Sequence, residues 1–267
     1  MELTFGQALK DWRAKRRMSQ FTLGLEANVS ARHISFLESG RSQPSRSMVA
    51  LLCETLDLPP AARNGFLTAA GFAPRYRARA MDEMGMAPVK AAVDWMLDRH
   101  APYPAFALDR HWRVVRLNAP AAQLFSVAGL AEGDSLLEAL ADGLGGLLEN
   151  RSEVIQHTVA RLRTESAHFG GDATLDAAIA RLSEDSSGER QETAAPVVPA
   201  RYRLGDQLLS LFSTIAQFGT AEDIALAELR IELLFPADAK TAAVLQALAE
   251  PSTQPLPAPK SRPEAGR

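Results

Sequence analysis

The run VSARHISFLESGRSQPS, Val29 to Ser45, decides how the N-terminal part of the chain folds. Ser30 is suited to cap a helix, because its hydroxyl can accept from a free backbone N–H of the first turn. Gly40 is suited to close it, since glycine enters the left-handed conformation without a Cβ penalty. Between them Ile34 and Leu37 fall one turn apart on one face, while Arg32, Ser35 and Phe36 point elsewhere. A helix this short is not stable alone, so neighbours must present it. Upstream, Ser19 opens SQFTLGLEANV with Gln20 in its first turn, Gly24 marks close approach of another helix, and Asn28 suits a left-handed turn. Further back, Phe5, Leu9 and Trp12 recur at i, i+4 and i+7, the apolar stripe of a first helix. Downstream, Met48, Leu51, Leu52 and Leu56 predict a fourth helix, and Phe66, Leu67 and Ala70 a fifth ending at Gly71.

These residues carry a resemblance. Ser19 and Gln20, Leu23, Val29-Ser30, Ile34, Leu37-Glu38, Gly40-Arg41 and Pro44-Ser45 resemble the helix-turn-helix domain of Cro/C1-type (XRE family) transcription regulators. The longer string VSARHISFLESGRSQPSR, with LDLPPAARNGFLTAAGFAP and PYPAFALDRHWRVVRLN after it, resembles the narrower MmyB-like group, which joins that domain to a PAS-like ligand-binding domain. It runs from about Leu3 to about Ala249. The fold it implies is α + α/β: a five-helix Cro/C1-type head, then a PAS-like α+β domain built as an antiparallel sheet covered by helices.

The resemblance also implies roles. The recognition helix is Ser30 to Glu38, and a major groove about 12 Å wide admits one such helix. Ala31, Arg32, Ser35 and Phe36 are then the candidates for base contact, with Arg32 able to bond a guanine and Ala31 or Phe36 to meet a thymine methyl. Phe36 either does this or packs at an interface. Gln20 either bonds a phosphate or braces the neighbouring side chain. Arg41, Ser45 and Arg46 hold the DNA backbone, the last two helped by the helix N-terminus. Arg13 and Glu38 form an ion pair that fixes the angle of the recognition helix.

Composition fits this reading. A chain of 267 residues with 46% apolar content can bury one or two cores. The one cysteine, Cys53, lies among leucines, excludes an internal disulfide and suits a reducing cytoplasm. No apolar run approaches the ~20 residues that span a bilayer, and the start, with Glu2 and an early tryptophan helix, is unlike a signal peptide. The net charge of −3 hides an asymmetry: residues 1–80 carry a net of +6 and the remainder −9. A basic head on an acidic body is the electrostatic footprint of phosphate binding beside a domain with another task.

After Gly71, FAPRYRARAMDEMGM has no apolar period and reads as a linker whose RYRAR could trail along DNA phosphates. Pro88 suits the first turn of an amphipathic helix with Val89, Ala92, Val93, Met96 and Leu97 on its stripe and Trp95 beside it. That helix docks on the second domain or pairs across a dimer. Ala105 to Leu108 and Trp112 to Leu117 read as a hairpin around Asp109 and Arg110. Helices follow from Asn118 and Pro120 to about Leu182, Ser183 to Ala195 reads as an exposed loop, and three strands come last: Val197 to Leu204, Leu208 to Phe218 and Ile224 to Phe235. This is the strand and helix order of a PAS fold. The expected domains are therefore 1–72 for the head, 73–101 for the linker and connecting helix, 102–238 for the PAS-like domain, and 239–267 for a helix remnant and a Pro-rich disordered tail.

A helix-covered sheet can enclose an apolar cavity. The resemblance implies a small apolar ligand there, a fatty acid or related acyl chain, with no cofactor. Strand alternation offers Phe106, Leu108, Trp112, Val114, Leu117, Phe125, Leu140, Phe212, Thr214 and Phe218 as wall residues. His33, His100, His111, His157 and His168 never fall at metal-ligand spacing, the glycine-rich DGLGG at Asp142 to Gly146 reads as a turn, and no serine lies in a nucleophile elbow, so neither metal nor enzyme is expected. The expected protein is a cytoplasmic homodimer, free of the membrane, that binds a double-stranded DNA operator and responds to its ligand. The alternative is a constitutive DNA-binding protein whose C-terminal domain only dimerises or binds a protein partner. An enzyme on a PAS-like scaffold would need a nucleophile or acid–base pair that the sequence does not offer.

Overall fold

The computed structural model describes residues 4–77, 79, 83–184, 197–219 and 223–249. Serine and threonine punctuate the head. Thr4, Ser19, Ser30 and Ser45 each accept from a backbone N–H three residues on, and so open α1 (Phe5–Lys15), α2 (Gln20–Glu26), α3 (Ala31–Glu38) and α4 (Arg46–Thr55). The fifth helix, α5 (Pro60–Ala69), starts instead on proline, whose fixed φ suits a first turn. Asn28 turns between α2 and α3 at φ 53°, and Gly40 turns the chain after α3 at φ 71°. A Cβ on Gly24 would lie 2.6 Å from the Val29 carbonyl oxygen, so the close approach at this glycine is to the turn and the start of α3.

One apolar core joins the five helices. Leu9, Leu23, Ile34, Leu37, Val49, Leu52, Leu56 and Phe66 are buried in it, and Phe5 meets Phe66 edge-on at 5.5 Å between ring centroids. Each such side chain contributes roughly 1.5–3 kcal/mol relative to exposure. The fourth-helix stripe needs one correction: Val49 is buried where Leu51 was expected, and Leu51 faces outward.

The linker is tied to both domains. Asn64 of α5 accepts from the N–H groups of Arg75 and Tyr76 and donates to the Tyr76 carbonyl, while Arg77 bridges to Asp223. Arg77 and Arg79 therefore meet the second domain, and Arg79 lies 3.6 Å from the Asp223 carboxylate. A short 3-10 turn at Met84–Met86 leads into α6 (Ala87–Arg99), where Pro88 sits in the first turn.

Beyond it come β1 (Ala105–Leu108), β2 (Val114–Leu117), α7 (Ala119–Ser126), α8 (Leu136–Ala141), α9 (Gly143–Gly146), α10 (Arg151–His168) and α11 (Ala173–Glu184). The chain then forms β3 (Ala200–Leu204), β4 (Gln207–Ala216), α12 (Ile224–Ala227), β5 (Arg230–Pro236) and α13 (Ala239–Ala249). Within the five-stranded sheet of the described residues the pairings are antiparallel, in the order β2-β1-β5-β4-β3. With helices inserted between β2 and β3, this is a PAS-like sheet.

Both faces of the sheet are covered. Phe106, Leu108, Leu209, Leu211 and Leu234 pack on the inner side against α7 to α11, whereas Ala105, Ala107 and Ile231 meet Val93 and Leu97 of α6 on the outer side. Asn118 locks this corner: it accepts from Ala105 N and Ala121 N and donates to the Leu97 and Tyr103 carbonyls.

Several expected boundaries move. Ile224–Ala227 is helical rather than extended, because the Asp223 side chain accepts from Ala225 N and starts a turn. The third strand begins at Ala200, not Val197, and Trp112 lies outside β2 in a turn at φ 62°. The DGLGG run holds the single helical turn α9 rather than a plain turn. Nor is α13 a remnant: Thr241 and Leu245 are buried, and Thr241 accepts from Ser210 N of β4. Most of the loop expected at Ser183 to Ala195, and the Pro-rich tail, lie outside the described residues.

Candidate functional site

On the head, α3 divides into two faces. Ile34 and Leu37 are fully buried, while Arg32 is exposed and Ala31, Ser35 and Phe36 are half-buried along the outward side. Arg32 and Arg41 hold their guanidinium groups over the Phe36 ring, at 5.2 and 6.0 Å from its centroid. The ring therefore supports two cations as it faces outward. Ser45 and Arg46 are exposed at the start of α4, with the Ser45 hydroxyl engaged by Met48 N and Ser47. These donors can meet phosphates and base edges.

Beneath this surface lies a charged brace. Arg13 reaches Glu38 in two contacts, Nε to Oε1 at 2.5 Å and Nη2 to Oε2 at 3.0 Å, and Arg13 Nη1 donates to the Met18 carbonyl. Gln20 donates to Glu38 Oε2 at 2.7 Å, so its amide braces the neighbouring side chain. Burial alone would push the Glu38 carboxyl up, but the hydrogen bonds from Arg13 and Gln20 outweigh it and hold it below its ordinary value.

In the second domain a cavity of about 380 Å³ lies between the inner face of the sheet and α7 to α10. Phe106, Phe125, Leu136, Leu140, Leu144 and Leu234 supply apolar wall. His157, Thr158 and Arg161 of α10, with Ser213 and Glu232 of the sheet, supply the polar one. Arg161 pairs with Glu232 at 2.7 Å and Glu165 at 2.9 Å, and its Nη2 is buried without a hydrogen-bond partner among the described residues. Burial opposes the Arg161 charge, yet Glu232 and Glu165 more than compensate and raise its pKa. Trp112 donates to Glu165 at 2.8 Å, and the guanidinium carbons of Arg161 and Arg230 lie over its ring at 4.3 and 5.2 Å from the centroid. Arg230 also pairs with Glu165.

Of the expected wall residues, the structure brings Phe106, Trp112, Phe125 and Leu140 together at the cavity. Leu108 and Val114 are buried in the adjoining core, and Leu117 is half-buried against it, but none of the three lines the cavity. Phe212, Thr214 and Phe218 are corrected outright. Leu209, Leu211 and Ser213 turn inward on β4, so Phe212 stacks on Phe235 at 5.6 Å, Thr214 is exposed, and Phe218 packs with the α6 cluster. The polar wall residues His157, Arg161, Ser213 and Glu232 carry no sequence signal that separates them from solvated positions, apart from the place of His157 and Arg161 flanking the apolar stripe of α10.

Two family models match this chain. The model described as MmyB-like transcription regulator ligand binding domain matches residues 89–248, and one described as helix-turn-helix domain matches residues 4–66. No curated protein matches the chain. The PAS domain of BvgS from Bordetella pertussis aligns at 12% identity over 61% of this chain and 94% of that one, with a TM-score of 0.29, so the PAS-like character rests on strand order instead. The ligand-domain match takes in α6 and α13 as well as the sheet, and the helix-turn-helix match takes in the braced α3: the chain belongs to the MmyB-like family of DNA-binding transcription regulators.

Proposed function

We propose that the head reads an operator through Arg32, with Ala31, Ser35 and Phe36 beside it and Arg41, Ser45 and Arg46 on phosphates, and that ligand in the cavity changes its operator affinity. The cavity is the observation that carries the second half. Its volume falls within the roughly 300–1,000 Å³ of small-molecule sites, and its walls are apolar with a few polar groups at one side. The buried Nη2 of Arg161, without a hydrogen-bond partner among the described residues, supports a ligand that is apolar with a single polar end, as a fatty acid or acyl derivative is. Such a molecule shifts operator binding only by as much as its affinity differs between two states of the protein.

The reading extends to a cytoplasmic homodimer on a palindromic site, since two half-sites one helical turn apart mirror a two-fold protein. Trp95, 61% exposed on α6, supports pairing through that helix.

Native mass spectrometry followed by organic extraction tests both points. A dimer that releases a stoichiometric fatty acid, and whose operator affinity differs between loaded and stripped forms, supports the reading. Equal affinity in the two forms favours the constitutive alternative.

A further inference from the structure

Among the described residues the head meets the ligand domain where α5 packs near α12, and again at a second small, specific place. The ring of Trp12, in the last turns of α1, fits so closely against Gly170 that a Cβ there would lie 2.7 Å from it, and Gly170 itself sits at φ 79°. Next to it Arg16 donates to three carbonyls: Leu56 at 2.9 Å and Asp57 at 2.8 Å at the end of α4, and His168 at 3.3 Å at the end of α10. Arg16 also lies over the Trp12 ring at 5.4 Å. One turn of α1 thus grips the C-terminal end of α10.

Both helices lead to working surfaces. Between Trp12 and Arg16 sits Arg13, which holds Glu38 at the end of α3. At the other end, α10 carries His157, Thr158 and Arg161 into the cavity. Arg161 is about two turns, or ~10 Å, from His168 along a continuous helix. A packed helix shifts as a unit rather than bending locally, so a displacement at the cavity reaches the α1 contact.

We propose that Trp12, Arg16 and Gly170 form a latch that couples cavity occupancy to presentation of the recognition helix. It rests on the ligand-responsive reading above and names its route. Trp12 and Gly170 act as positioning residues; neither faces DNA or the cavity. By linkage the coupling runs both ways: DNA on the head changes the cavity's ligand affinity by the same factor, and a two-state latch does this by shifting the state of the ligand domain, filled or empty.

That reciprocity supplies a test in which DNA is the probe. The full-length chain, stripped of lipid, is mixed with a duplex it has itself selected from a random pool, and amide hydrogen exchange is followed by mass spectrometry. In the wild type, the duplex is expected to change exchange across residues 154–172. In Trp12→Leu and Gly170→Val, which break the contact from opposite sides, the duplex is still bound but the change is lost. Unaltered exchange in the wild type, or an equal change in a folded variant, overturns the latch. In parallel, palmitic acid should shift wild-type operator affinity by ~5-fold or more and leave both variants' operator affinity unmoved while binding them normally. If palmitic acid binds none of the proteins while the DNA effect is present and latch-dependent, the latch stands and the fatty-acid reading fails.

Discussion

Glu38 is where a single carboxylate ties α1 and α2 to the end of α3. Its side chain is only 5% exposed, and Arg13 and Gln20 occupy both of its oxygens. Glu38→Gln would leave the Arg13 guanidinium in a half-buried site without its counter-ion, and we expect a loss of about 3 kcal/mol in urea unfolding. Because its folded pKa is depressed, the stabilisation is present above the ordinary carboxylate value of about 4.3 and is lost as pH falls through the folded value. Acid titration of the variant should lack this component. Asp172 follows the same sign: burial opposes its charge, but Arg110, Leu175 N and His111 hold it down at about 2. Cys53 is the opposite case. Burial pushes its thiol up to about 12, so a thiol reagent at neutral pH should label the native protein no faster than it unfolds.

At the scale of elements, α3 carries stability through its buried atoms and, in the function proposed above, operator binding through its exposed ones. Arg32→Glu should abolish specific operator binding in a fluorescence anisotropy titration while moving the melting temperature by less than about 2 °C, as an exposed substitution does. Normal binding by that variant would remove α3 as the reading helix. The head was legible from sequence because capping serines and left-handed turn residues, Ser19, Ser30, Ser45, Asn28 and Gly40, mark both ends of α3, the start and end of α2 and the start of α4. Strand β4 was not. Leu208, Leu209, Leu211 and Phe212 are all apolar because both faces of the sheet are covered, so the period-two signal that chooses between Leu211 and Phe212 is erased. Arg161 and Glu232 were equally hidden, since the pairing that joins half-buried Arg161 to buried Glu232 links residues far apart in sequence.

The whole molecule carries opposite charge on its two parts. With a net of +6 within residues 1–80 and −9 beyond, an overall charge of −3 does not oppose DNA binding by the head. Operator affinity should therefore fall steeply with salt, and Arg46→Ala should reduce the slope of log K against log salt by about 1, as loss of one phosphate contact does. An unchanged slope would take Arg46 off the DNA backbone. Covering the outer face of the sheet with α6 and closing its far end with α13 also explains why the ligand-domain match begins and ends with those helices.

The covalent linker, pinned by the bond from the Ile224 N–H to the Arg77 carbonyl at 2.7 Å, keeps the head beside its own ligand domain even when Trp12 lets go. A surface held that way meets its partner at an effective concentration of the order of millimolar. Release and recapture of the head are then unimolecular events, indifferent to how much protein is in the tube, whereas assembly of two chains on one operator is not. Dilution would weaken the second and leave the first untouched.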